Sequence, residues 1–165
     1  MDFNKRAIMI YVNFDDTLYL HEKHWGADED LEYNLKYSSG ELKYKAENIN
    51  DELINVILNV KSEMKDSGKN VYVFMLTGSR INAYFEAKKR LLDTETNDVF
   101  DNYFSVSSQA EKIEFIKYHN KFFEKEHDCK IIGTIVIDDD YSVLSACNNE
   151  EYRAYTPLYF EKSMQ

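Results

Sequence analysis

Ile8-Met9-Ile10-Tyr11-Val12-Asn13-Phe14-Asp15-Asp16-Thr17-Leu18 is the stretch that decides the fold. Its apolar half has the length of one strand buried on both faces, within a first strand expected over residues 7–13. That strand runs straight into a polar cluster. In an open parallel α/β sheet, ligands bind beyond the carboxyl ends of the strands. Two carboxylates and a hydroxyl at such a tip are poor core material, because buried charge needs a partner. Taken alone, Asp15, Asp16 and Thr17 are equally at home as turn and cap residues.

Two more apolar runs end the same way. Val-Tyr-Val-Phe-Met-Leu at 71–76 leads into Thr77-Gly78-Ser79-Arg80, and Ile-Ile-Gly-Thr-Ile-Val-Ile at 131–137 leads into Asp138-Asp139-Asp140. Thr77 alone reads equally as a helix cap. Three adjacent carboxylates repel one another unless a cation or a donor sits between them.

Helical patterns lie between the runs. Over 50–67, Leu53, Ile57, Val60 and Met64 share one face, Asn50 can cap the start and Gly68 can stop the end. A second helix is expected over 80–92, and Tyr103 to Val106 reads as a short strand. Ser108 and Glu111 form a capping box for a helix that runs to about Lys125. Lys112 lies in that helix's first turn, against the helix dipole, and is better explained if it faces an anion. From Ala154 to Phe160 the tail reads as a last edge strand, where Pro157 is tolerated.

Alternating strands and helices imply an α/β fold, a three-layer Rossmann-like parallel sheet, in one domain over 1–165 with no linker or repeat. Residues 19–48 depart from the alternation. Leu31, Tyr33, Leu35 and Tyr37 alternate with polar residues, as do Leu42, Tyr44 and Ala46, on either side of Ser38-Ser39-Gly40-Glu41. Period two around a glycine-containing turn predicts a β-hairpin. Tyr19, His21, His24 and Trp25 precede it and stand where a substrate's border would be. For the two histidines, surface or packing roles are the stronger reading, since no ligand set is spaced around them.

In this order, the motifs resemble those of the haloacid-dehalogenase-like (HAD-like) phosphohydrolases, whose first motif is an apolar strand followed by Asp-x-Asp-x-Thr-Leu. Here it reads Asn13-Phe14-Asp15-Asp16-Thr17-Leu18. The strand ending in Thr77-Gly78 resembles the family's second motif, and that ending in Asp138-Asp139 its fourth. The hairpin resembles a minimal cap. The resemblance implies a Mg²⁺-dependent phosphomonoesterase. Asn13 stands at the nucleophile position, Asp15 at the general acid/base, and Thr77, Gly78, Asp16 and Lys112 at the phosphate, with Lys117 the alternative to Lys112 for the family's lysine. Asn13, the Asp15 carbonyl, Asp139 and Asp138 would lie around the metal. Magnesium suits such oxygen ligands.

Asn13 departs from the family at one point. A carboxamide has no anionic oxygen and is a poor nucleophile, so this chain is expected to turn over slowly or not at all. Either the natural residue is aspartate and Asn13 a substitution that traps ligand, or the chain is a natural pseudo-phosphatase that binds a phospho-ligand or a partner. A response-regulator-like receiver fits less well, because its acids would cluster at the first strand and not at the first and last.

Bulk properties narrow the rest. The chain has 165 residues, 30 acidic against 20 basic, and a formal net charge of -10. That balance argues against extended nucleic acid or anionic membrane as partner. A small phosphorylated substrate remains, with a lean to nucleotides or phosphorylated strand ends because the aromatic insert suits stacking on a base. Two cysteines outside any Cys-x-x-Cys spacing and a polar N-terminus point to a cytoplasmic protein.

Overall fold

The computed structural model describes residues 5–22, 43–78, 81–96 and 98–164. Most of the expected hairpin, with His24 and Trp25, lies outside the described residues, as do Ser79 and Arg80.

Five strands form one sheet: β1 (Arg6–Val12), β2 (Asn70–Gly78), β3 (Asn102–Val106), β4 (Lys130–Ile137) and β5 (Arg153–Tyr155). They lie in the order β3-β2-β1-β4-β5 and every neighbouring pair is parallel. β1 is the central strand, which is why it needed a continuous apolar run. Ile8, Ile10 and Val12 face one core with Leu53, Ile57, Val60 and Phe160. Met9 and Tyr11 face the other with Ile113, Ile116, Phe123 and Val143. Successive side chains of a strand point to opposite faces, so one five-residue run feeds two cores. Each fully buried aliphatic side chain contributes about 1.5–3 kcal/mol.

The helices α1 (Asp51–Asp66), α2 (Asn82–Glu95), α3 (Lys112–His127), α4 (Tyr141–Cys147) and α5 (Pro157–Ser163) complete the two outer layers. Residues of α1, α2 and α5 pack on the first core, and those of α3 and α4 on the second. The winding reverses between β1 and β4. At such a switch point the strand ends open onto a crevice.

Asn50 ties three elements together at that end. Its Oδ1 accepts from Leu53 N (3.2 Å), and its Nδ2 donates to Thr17 O (3.2 Å) and to Glu161 Oε1 (3.0 Å). Removing the cap and orphaning two buried acceptors predicts that Asn50→Ala loses about 2–3 kcal/mol in urea unfolding. A loss under about 0.5 kcal/mol, the range of an ordinary surface substitution, would contradict this role.

Two local expectations are corrected. The tail is not one strand from Ala154 to Phe160. β5 ends at Tyr155, Thr156 Oγ1 accepts from Tyr159 N (3.3 Å), and Pro157 opens α5. Proline's fixed φ and missing N–H suit a first helical position as well as a sheet edge, and the Thr156 cap decides between them. The Ser108–Glu111 capping box does not close either. Residues 109–111 form a 3₁₀ turn, Ser108 makes no side-chain cap, and Glu111 Oε2 accepts from Ser107 N (3.1 Å).

Candidate active site

Beyond β1 the chain folds into a tight loop. Asn13 N donates to Ile137 O (2.9 Å), Leu18 N to Asn13 O (3.3 Å) and Tyr19 N to Phe14 O (2.9 Å). Asp16 takes the left-handed conformation at φ 57°, a region that aspartate tolerates better than most residues. Phe14 and Leu18 are fully buried, and Phe14 stacks on Tyr19 with ring centroids 5.3 Å apart. The buried aromatic pair therefore sets the path of the loop that carries the polar residues.

Lys112, at the start of α3, is 1% exposed. Its Nζ donates to Asn13 Oδ1 (2.9 Å) and to Asp138 Oδ2 (2.7 Å). Asp138 is equally buried, and its Oδ1 accepts from Asp140 N (3.0 Å). Asn13 Nδ2 donates to Asp15 O (2.7 Å) and to Asp139 Oδ1 (2.8 Å), and Thr17 Oγ1 donates to the same Asp139 oxygen (3.2 Å). The tips of β1 and β4 are thus joined by one polar network. The alternative lysine, Lys117, pairs with Glu114 (3.6 Å) and Glu150 (3.4 Å), away from this network.

Sequence reasoning missed a second lysine. Lys88, on α2 and 2% exposed, donates from Nζ to Asp15 Oδ2 (2.7 Å) and to Thr77 Oγ1 (3.0 Å). Its Nζ lies 5.1 Å from the Phe14 ring centroid. Tyr84, Lys88 and Leu92 are the buried residues of α2, spaced i, i+4, i+8. A lysine in the middle of an apolar stripe was the available signal. His21, for which a surface or packing role is the stronger sequence reading and a place at the substrate's border the weaker, sits within the cluster. Its Nε2 donates to Asp15 Oδ1 (2.7 Å), so it belongs to the polar cluster and is not a bystander.

Both oxygens of Asp15 are therefore occupied. Burial alone would raise its pKa, but the Lys88 charge and the hydrogen bonds from His21 and Lys88 outweigh burial and hold the carboxyl well below the usual range. Asp139 goes the other way: burial first, then the charge of Asp138, push it up to about 6. A carboxyl raised in the folded state favours folding while it is protonated. Its contribution is complete below pH about 4 and is lost as pH rises to about 6. We expect a carbon-detected NMR titration to give Asp139 a midpoint near 6. Asp139→Asn should flatten that part of the stability profile, and a midpoint below about 4.5 would contradict it.

Of the other named residues, Asp16 donates its backbone N–H to Tyr19 O (2.8 Å). Gly78 leaves room for Gln109, whose Oε1 lies 3.3 Å from where a Cβ would stand.

Asp15 O and Asp139 Oδ1, two oxygens that the family resemblance assigns to magnesium, do converge, but on an N–H₂ donor. A hard cation needs oxygen at that point. Among the described residues, no group of three or more His, Cys, Asp or Glu is arranged as a metal site. With asparagine at position 13, the donor set does not fit the ion.

No protein-family model and no curated protein sequence matches the chain. Two solved structures do. An archaeal beta-phosphoglucomutase from the hyper-thermophilic Pyrococcus sp. strain ST 04 aligns with TM-score 0.56 and 15% identity, over 90% of this chain and 86% of that one. The HAD domain of effector protein Lem4 from Legionella pneumophila aligns with TM-score 0.50 and 16% identity, over 92% and 86%. At that identity the likeness is one of fold. Together with the parallel sheet, it shows that this chain shares its α/β fold with these two structures, one of them a HAD domain.

Proposed function

We propose that the chain carries a phosphohydrolase-type site for a small phosphate monoester, with a lean to nucleotides or phosphorylated strand ends, and that Asn13 leaves it with little or no turnover. The observation that carries this reading is the convergence of two buried ammonium groups on the strand tips. Lys88 reaches Thr77 at the end of β2, and Lys112 reaches Asn13 and Asp138 at the ends of β1 and β4. Buried cations beside a hydroxyl are preorganised donors for a phosphoryl group.

In this reading Thr77, Lys88 and Lys112 bind the phosphate oxygens, with Gly78 and Asp16 at the rim. Asp15 stands at the general acid/base, giving a proton to the leaving group and taking one from the hydrolytic water; before a substrate enters, Lys88 and His21 hold it as a carboxylate. Position 13 faces phosphorus, where an aspartate would attack and an asparagine does not. Magnesium enters the proposal only for the form with aspartate at 13. The net charge of -10 disfavours extended nucleic acid. Cys129 and Cys147 are free and buried, which suits a reducing cytoplasm. Among the described residues, no helix is long and apolar enough to cross a membrane.

A second reading, a protein that binds a phospho-ligand without turning it over, is favoured by the satisfied hydrogen bonds of Asn13. The experiment that separates them is phosphate release from an aryl phosphate and a nucleotide panel, with and without Mg²⁺, by the chain and by Asn13→Asp. Activity in the aspartate form alone supports the first reading. Silence of both, with ligand binding intact, supports the second.

A further inference from the structure

We infer that Asn13 closes this site to divalent cations, with its carboxamide nitrogen standing where the cation would be held. The inference deepens the reading above and rests on it for which oxygens a cation would use.

The orientation of the amide is dictated by its neighbours. Lys112 Nζ is a donor with no accepting lone pair, and it lies 2.9 Å from Asn13 Oδ1. On the far side, Asp15 O and Asp139 Oδ1 can only accept, and they lie 2.7 and 2.8 Å from Nδ2. Thr17 Oγ1, at 3.5 Å from Nδ2, completes the surroundings. Turning the amide over would set N–H₂ against an ammonium group and an oxygen against two oxygens. The contacts with Lys112, the Asp15 carbonyl and Asp139 would all change from attractive to repulsive; only the Thr17 hydroxyl, donor and acceptor alike, would tolerate the turn.

Lys112 is itself held in place, since it also donates to the buried Asp138 (2.7 Å). The oxygen of Asn13 is therefore committed to Lys112, and the side that meets the Asp15 carbonyl and Asp139 is a hydrogen-bond donor. An aspartate in the same pose would offer one oxygen to Lys112 and the other to the cation. Asparagine in that place thus withholds a ligand, a negative charge and the vacant position at once. The Asp15 carbonyl and the Asp139 carboxylate are thereby satisfied by the N–H₂ group.

Mn²⁺ titration of the full chain followed by electron paramagnetic resonance tests this with neither phosphate ester nor turnover. The chain is expected to retain no Mn²⁺ at the strand tips. Asn13→Asp should bind at least roughly 100-fold more tightly, the scale of one charged interaction lost and another opposed. Adding Asp139→Asn should return it toward the parent. Equal binding by parent and Asn13→Asp would overturn the inference, as would a folded Asn13→Asp that gains nothing or a gain that survives Asp139→Asn. A measurement on the parent alone needs no variant. The side-chain N–H₂ resonances of Asn13 should be protected from exchange and unmoved by excess Mg²⁺, and a saturable shift would overturn the inference. If Asn13→Asp bound Mn²⁺ but hydrolysed nothing, the proposed function would fail and this inference would stand.

Discussion

Asn13→Asp is expected to release phosphate at least about 10³-fold faster than the parent chain, and only with Mg²⁺ present; removing a nucleophile elsewhere costs up to roughly 10⁶ in kcat. The change exchanges one nitrogen for one oxygen and leaves the rest of the cluster in place. Thr77, Lys88, Lys112, Asp15 and Asp139 already converge on the tips of β1, β2 and β4. The gain should appear in kcat more than in KM, because in the proposed reading the lysines and Thr77 hold the phosphate in either form. A gain confined to KM would place the role of position 13 in binding alone. No gain with any member of the panel would remove the phosphohydrolase reading.

Lys112→Met should be the most damaging single substitution for stability, at about 3–5 kcal/mol, because it strands a buried carboxylate. Asp138 is 1% exposed and takes its only side-chain ion pair among the described residues from Lys112, at 2.7 Å. The melting temperature should fall by roughly 10 °C or more for a chain of this size. The double variant Lys112→Met/Asp138→Asn should recover most of that loss. The carboxamide oxygen introduced at position 138 can still accept from Asp140 N, and no uncompensated charge remains. Urea unfolding of the three forms measures it. A single-variant loss below about 1 kcal/mol, the worth of an exposed pair, would mean that the pair is not sealed from water.

The apolar run ending at Val12 marked β1, and the runs at 71–76 and 131–137 marked β2 and β4. Buried parallel strands must be apolar on both faces, so their signal is local. Lys112 was legible for the same kind of reason: a lysine against a helix dipole is a local anomaly, and the structure buries it at the strand tips. The tail was less so. Thr156-Pro157 suits a helix start as well as an edge strand, and only the Thr156 side chain, capping Tyr159, tells them apart.

Lys88 and His21 show where local reading ends. Lys88 lies 73 residues from Asp15, and its role exists only because α2 packs over the β1 loop. His21 is 6 residues from Asp15, but the loop had to turn back, with Asp16 at positive φ, before they could meet. The sequence by itself determined which strands end in carboxylates and hydroxyls and in what order, because burial and periodicity are written in neighbouring positions. The tertiary structure alone decided which charges are paired at those ends. A side chain's partner depends on how distant elements pack, and at the strand tips that packing turned the amide nitrogen of Asn13 toward the oxygens of Asp15 and Asp139.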